Sequence, residues 1–129
     1  MNELALFYNF SDERLRKAKF ALMPLKIRVK KVEKEDFNQP IGFLAGIKDI
    51  KPVTEKYDGN GFDDEMIVMH NFTSKTIDSL IKALNKCGVG RVPLKAVITP
   101  TSKDWDSLKL IKALKADHEE MQKRSAAEN

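Results

Sequence analysis

The feature of this chain that most constrains its fold is an internal repeat. Phe7-Tyr8-Asn9-Phe10-Ser11 matches Met69-His70-Asn71-Phe72-Thr73, which follows 62 residues later. Pro24-Leu25-Lys26 recurs at 93–95, and Asp36-Phe37 recurs as Asp104-Trp105. The three matches keep the same order, and the seven-residue change of offset between the first two falls in the turn at 87–92, where an insertion is easily tolerated. The sequence therefore predicts two copies of one structural unit.

Each copy has the pattern strand–helix–strand–helix. Apolar runs at 3–8, 65–70 and 94–99 predict strands, and the run at 25–32 alternates apolar and basic residues, as an edge strand does. Residues with helix-capping side chains follow the runs at 3–8 and 65–70. There Ser11 and either Thr73 or Ser74 begin predicted helices. A short helix with a proline in its first turn is expected within 36–47.

This order of elements favours an α/β fold, in which a duplicated β-α-β-α unit forms a four-stranded, mainly parallel sheet covered by helices. The expected strand order is 2-1-3-4, because the strands at 3–8 and 65–70 lack polar alternation and so belong at the centre. The alternative is a ferredoxin-like α+β sandwich. We expect one domain over 1–129, with repeat halves at about 3–47 and 65–122. The turn-rich segment 48–64 is expected to be a mobile loop and 123–129 a frayed tail.

Composition narrows the class of protein. The 129 residues carry a formal net charge of +4, one cysteine and two histidines, which excludes an internal disulfide and argues against a zinc site. No run of apolar residues is long enough to span a membrane, and no secretory leader is visible, so a cytoplasmic location is expected. Segment 58–69 starts like a calcium loop but lacks the required glycine and the bidentate acid. No metal or other cofactor is therefore expected.

The chain resembles a bacterial family described as a domain of unknown function, number 3783. In the second half the likeness rests on Glu65-Met66-Ile67-Val68-Met69, Asn71-Phe72, the run 94–101, Trp105 and the end at Leu114 and His118-Glu119. In the first half it rests on Tyr8-Asn9-Phe10 and the run 38–46. The resemblance implies a small stand-alone bacterial protein, and it implies no activity, cofactor or catalytic residue.

Polar side chains follow the predicted strands. In a parallel sheet, ligands bind beyond the carboxyl ends of the strands, so these residues are expected to share one edge. The candidates for ligand binding are Tyr8, Asn9, His70, Asn71, Thr99, Thr101, Asp104 and Trp105. The bland interpretation is that the asparagines satisfy turn backbone, that the hydroxyl groups cap helices and that Trp105 anchors the last helix.

Three functional hypotheses follow. The first is a non-catalytic binding or regulatory module for a small molecule or a protein, because no complete catalytic set is present. The second is a small enzyme with a site around His70, Asn71 and Thr101. The third is nucleic-acid binding through the basic stretch Arg14–Lys31, with candidates Arg14, Arg16, Arg28 and Lys30. An expected lack of exposed aromatic residues in that stretch argues against the third, and a membrane partner is not expected.

Overall fold

The computed structural model describes the backbone of residues 2–128 and the side chains of residues 2–120. Within this part the four strands are β1 Leu4–Tyr8, β2 Arg28–Val32, β3 Met66–His70 and β4 Leu94–Val97. The four α-helices are α1 Asp12–Leu22, α2 Ile41–Leu44, α3 Ser74–Lys86 and α4 Ser107–Glu128. Three short 3₁₀ turns lie at Met23–Leu25, Lys34–Asp36 and Ser102–Asp104. Fraying of 123–129 stays a prediction, because the side chains there and residue 129 lie outside the described part.

The strands form one sheet in the order β2-β1-β3-β4, which confirms the expected order. β1 pairs with β2 and β3 pairs with β4 in parallel, but β1 and β3 are antiparallel. The sheet is therefore mixed, and the expectation that all four strands end at the same edge is wrong. The carboxyl ends of β1 and β2 lie at one edge, and those of β3 and β4 lie at the opposite edge.

The register of the central pair has twofold pseudosymmetry. Leu6 lies opposite Val68, and these residues are themselves equivalent in the repeat at the offset of 62. The pair Leu4 and His70 corresponds in the same way to the pair Tyr8 and Met66. Exchanging the two halves therefore maps the central ladder onto itself, which supports the duplication predicted from the sequence.

The direction of β3 follows from the connection that precedes it. At about 1.5 Å per residue, the four residues of α2 extend only about 6 Å, far less than the length of a five-residue strand. The chain nevertheless reaches the edge where β1 and β2 begin, because Ile47, just after α2, lies beside His70, which pairs with Leu4. The segment 48–64 then leads back to the edge where β1 ends, beside Asn9, so β3 starts there and runs in the opposite direction.

Both faces of the sheet are covered. On the first face, alternate residues of β1 and β3 pack with buried residues of α1 and α3, including Leu15, Leu22, Leu80 and Leu84, and form the first core. On the second face, Leu6, Tyr8 and Val68 pack with residues of α2 and α4 and form the second core. Coverage of both faces and the 2-1-3-4 order rule out the ferredoxin-like alternative, in which helices cover one face only.

Asn9 and Asn71 occupy equivalent left-handed turns directly after β1 and β3, with φ of 64° and 65°. The Asn9 amide donates hydrogen bonds to the carbonyl oxygens of Phe62 and Asp64, just before β3 begins. The Asn71 amide donates to the carbonyl oxygen of Asn2, just before β1 begins. Asparagine tolerates the left-handed region and bonds local backbone, so each half secures the entry of the other half into the sheet.

One part of the sequence alignment between the halves is wrong. The strand registers make Leu94 equivalent to Arg28, because Leu94 lies opposite Met66 as Arg28 lies opposite Leu4. The sequence match had equated Leu94 with Leu25, which instead lies in the 3₁₀ turn that ends α1. The Pro-Leu-Lys similarity is thus displaced from the structural repeat by three residues.

The segment 48–64 contains no regular helix or strand, and several contacts hold it against the second face. The Gln39 side chain exchanges two hydrogen bonds of 2.8 Å with the backbone of Val53. The ring of Phe62 stacks on Phe37 with centroids 4.5 Å apart. The mobility of the segment 48–64 stays a prediction.

Within the described residues, no helix is long and apolar enough to cross a bilayer.

Replacing Asn9 tests the turn that follows β1. Asn9→Ala should lower the free energy of unfolding by roughly 1–3 kcal/mol, because alanine disfavours positive φ and the two amide hydrogen bonds are lost. Asn9→Gly loses the same hydrogen bonds but tolerates the backbone, so its loss should be smaller. Urea denaturation measures both. Equal stabilities for the two variants would contradict the left-handed conformation.

Candidate functional site

The antiparallel central pair separates the residues that were expected to share one ligand-binding edge. Tyr8 and Asn9 lie at the edge where β1 ends, whereas His70 and Asn71 lie at the opposite edge where β3 ends. The polar groups that end the two halves thus form no common site. We call the first edge the Asn9 edge and the second the Asn71 edge.

Tyr8 is a core residue. Its side chain is fully buried, and its hydroxyl lies 2.7 Å from the hydroxyl oxygen of Ser107, which is also buried at the start of α4. Burial raises the pKa of the Tyr8 phenol well above its usual range, although the Ser107 hydrogen bond opposes this shift. The phenol therefore stays protonated and joins the two halves across the second core, out of reach of a ligand.

A shallow cleft of about 300 Å³ lies at the Asn71 edge. Three predicted candidates, His70, Asn71 and Thr99, line it together with Lys103. Burial lowers the pKa of His70, and the positive charge of Arg28 adds to this shift. Among the described residues His70 makes no hydrogen bond or ion pair with a carboxylate, so the acid partner that general acid–base catalysis would use is missing from this cleft.

The remaining candidates of the second half serve the local turn. The Thr99 and Ser102 side chains exchange hydrogen bonds with each other and with each other's backbone N–H, at 3.0–3.1 Å. Thr101 and Asp104 are exposed and do not line the His70 cleft. Trp105 packs against the second core, and its carbonyl oxygen accepts a hydrogen bond from the N–H of Ile41. Its contacts are those of a helix anchor.

The sequence reasoning missed a larger groove of about 550 Å³ at the Asn9 edge. It is lined by charged side chains from the start of β3 and from α4, which are Asp64, Glu65, Lys115, His118 and Glu119. Three of these are already paired, since Lys115 lies 2.9 Å from Asp64 and Glu65 forms an ion pair with Arg14. No spacing in the sequence could reveal the groove, because its two walls are about 50 residues apart in the chain and meet only through the fold.

Two of the four basic candidates are engaged inside the molecule. Arg14 donates to both carboxylate oxygens of Glu65, at 2.7 and 2.8 Å, and to the carbonyl oxygen of Val89. Lys30 of β2 donates to the carbonyl oxygen of Leu44, the last residue of α2. Arg16 and Arg28 remain exposed. The basic stretch is therefore not a continuous cationic track.

The end of α1 carries an exposed apolar cluster. Phe20 is 77% exposed, Met23 68% and Leu25 41%. Phe20 and Met23 are three residues apart on one side of the helix end, and Met23 and Leu25 share the 3₁₀ turn. We call these three side chains the helix-one patch. The expectation that the basic stretch has no exposed aromatic residue is wrong, because Phe20 faces solvent.

The fold defines an α/β protein with a four-stranded mixed sheet whose central pair has a twofold pseudosymmetric register. Residues 65–121, which comprise β3, α3, β4 and most of α4, match the family model described as Domain of unknown function (DUF3783). This confirms the resemblance for the second half of the chain. No curated protein and no solved structure matches the chain. Within the described residues, no group of three or more histidine, cysteine or acidic side chains is arranged to hold a metal ion.

A double-mutant cycle tests the buried hydrogen bond between Tyr8 and Ser107. Tyr8→Phe should lower the free energy of unfolding by about 1–3 kcal/mol, because the Ser107 hydroxyl loses its partner in the core. Ser107→Ala should also destabilise, and the double variant should lose less than the sum of the two single losses. Urea denaturation at neutral pH gives all three values, and strict additivity would show that the two hydroxyls do not interact.

The pKa of His70 offers a second test. It should titrate below its usual 6.5, and Arg28→Gln should raise it partway, since burial is the larger cause of the shift. The folded state then binds fewer protons than the unfolded chain, so the stability linked to His70 is full above pH 6.5 and is lost as pH falls toward the folded pKa. NMR titration of the ring protons measures the shift. An unchanged pKa in Arg28→Gln would contradict this electrostatic coupling.

Proposed function

We propose that this chain is a non-catalytic binding module that recognises a macromolecular partner through the helix-one patch. The observation that carries the proposal is the grouping of Phe20, Met23 and Leu25 on the surface at the end of α1. Single exposed apolar residues are ordinary, but grouped ones mark interaction sites. A cytoplasmic location fits the single cysteine and stays part of the proposal.

The patch is exposed although the same helix buries an apolar stripe. Leu15, Ala18 and Leu22 fill the first core, so α1 is already anchored to the sheet without Phe20 or Met23. These two side chains add nothing to that core. A partner that covered them would remove large apolar surfaces from water, at about 25 cal/mol per Å².

The enzyme hypothesis has less support. His70 and Asn71 share a cleft, but Thr101 does not line it, and the charge that acts on His70 is the cation Arg28 rather than a carboxylate. A protonated histidine beside a cation could bind an anion, yet no arrangement there supplies a nucleophile with its base. The cleft supports a catalytic site poorly.

Nucleic-acid binding has mixed support. Phe20 offers a face for base stacking, and Arg16 and Arg28 are exposed. Against this, Arg14 and Lys30 already form hydrogen bonds within the chain. The neighbouring Met23 and Leu25 are apolar and offer no contact to the phosphates of a nucleic acid. We therefore place a protein partner first.

Site-specific photo-cross-linking tests the proposal. A photoreactive phenylalanine analogue at position 20 should give a discrete adduct in cells that make the chain. The matched control is position 43, because Phe43 is also an exposed phenylalanine, at 37%, but belongs to α2 on the opposite face. Met23→Ser should reduce the adduct at position 20. Absence of an adduct, or equal adducts at both positions, would refute the proposal.

Stability measurements separate binding from folding. Phe20→Ser should change the free energy of unfolding by no more than about 0.5 kcal/mol, because its side chain packs little in the isolated chain. A large loss on Phe20→Ser would show that the side chain supports the fold, and it would remove the reason for treating the patch as a binding surface.

A further inference from the structure

Two grooves flank the helix-one patch. The first lies between the end of α1 and the edge strand β2 and has a volume of about 450 Å³, with Met23, Ile27 and Val29 as its apolar lining. The second lies between the end of α1 and α3 and has a volume of about 290 Å³, with Ala21, Pro24, Leu25 and Ala83 as its apolar lining. Met23 and Leu25 of one 3₁₀ turn thus separate two apolar depressions.

The charged groups around these grooves are all of one sign. The first groove is lined by Lys19, Lys26 and Arg28, and the second by Lys82 and Lys86. Among the side chains that the structure describes, no carboxylate lines either groove. Within the described part of the chain, none of these five cations forms an ion pair, although the surface elsewhere has several.

We infer that this surface docks an acidic polypeptide segment that also carries apolar side chains, supplied by a different protein. The inference rests on the proposed function and names the chemistry of its partner. Apolar side chains of the segment would occupy the two grooves beside Met23 and Leu25, and carboxylates would face the surrounding cations. Opposite charges at the rim of an interface accelerate association and reject partners of the wrong sign.

The combination of groups favours a protein segment over nucleic acid. A single strand of nucleic acid binds through successive aromatic stacking platforms along a cationic groove. Here Phe20 is exposed, but it does not line either groove, and the linings are aliphatic. Aliphatic grooves bordered by lysines fit leucine-like side chains flanked by carboxylates better than they fit bases and phosphates.

A second copy of the chain is a weaker occupant. Its acidic segment 58–65 would be the natural ligand, yet two of the four acidic residues there, Asp64 and Glu65, already pair with Lys115 and Arg14. The two surfaces would also differ, and such a head-to-tail contact tends to continue into open chains of molecules. Sedimentation of the wild-type chain reports this outcome, and salt-sensitive self-association through the patch would overturn the inference.

Fluorescence anisotropy with designed probes tests the partner class. The main probe is an amphipathic glutamate–leucine peptide roughly four helical turns long. The comparison probes are a lysine–leucine peptide of the same pattern, a glutamate–serine peptide, and a single-stranded oligonucleotide of similar length. We expect the glutamate–leucine peptide to bind best and to weaken as salt is raised, because exposed charges are screened.

Charge reversal locates the binding. We expect the double substitution Lys82→Glu and Lys86→Glu to weaken binding of the glutamate–leucine peptide by at least about tenfold. The reason is that two positive rim charges become negative. The control pair, Lys48→Glu and Lys51→Glu, changes the net charge equally at two exposed lysines after α2, and should leave binding within about twofold. Met23→Ser should weaken binding of the glutamate–leucine peptide without altering the salt dependence of that binding.

Each other outcome overturns the inference. Tighter binding of the oligonucleotide, equal binding of the lysine–leucine peptide, or equal effects of the two reversal pairs would each show that an acidic apolar segment is not the specific ligand. Failure of every probe to bind would do the same. The cross-link at position 20 is scored separately, so an adduct without peptide binding would leave the proposed function standing and refute only the partner class.

Discussion

The structure depends on the antiparallel pairing of β1 with β3. This ladder joins the two halves, and its register centres on Leu6 and Val68. Both strands bury side chains on both faces, so a slip of one residue would exchange the residues of the two cores. The pairing therefore fixes the register, the twofold arrangement of the outer strands and the contents of both cores at once.

The same pairing decides where the polar groups lie. In a fully parallel sheet Asn9 and Asn71 would stand near each other and form part of one ligand edge. In the mixed sheet they are at opposite edges, and each amide binds the backbone that leads into the other half. Their repetition at equivalent positions thus reflects a structural role in the two turns. This agrees with the interpretation that the asparagines satisfy turn backbone.

Much of the fold was available from the sequence, because hydrophobic periodicity and capping residues report local structure directly. Ser11 and Thr73 cap α1 and α3 as expected, and the strand order follows from the burial patterns of the strands. Strand direction was not available, since periodicity is the same in both directions. It depended on the path of the segment 48–64, which leads from the cleft beside His70 back to the edge beside Asn9 and is held there by tertiary contacts rather than by a regular element.

The helix-one patch was within reach of the sequence but was overlooked. Successive residues of a helix are rotated by about 100°, so Phe20 lies about 140° from Leu15 and points away from the stripe that Leu15, Ala18 and Leu22 form. A phenylalanine at such a position contributes little to the isolated domain and favours association. The groove between α1 and α3 could not be foreseen, because Lys82 and Lys86 reach the end of α1 only through the packing of α3 on the same face. The first half alone supplies the helix-one patch and the groove beside β2, and the groove beside α3 with its two lysines arises only where the two halves meet.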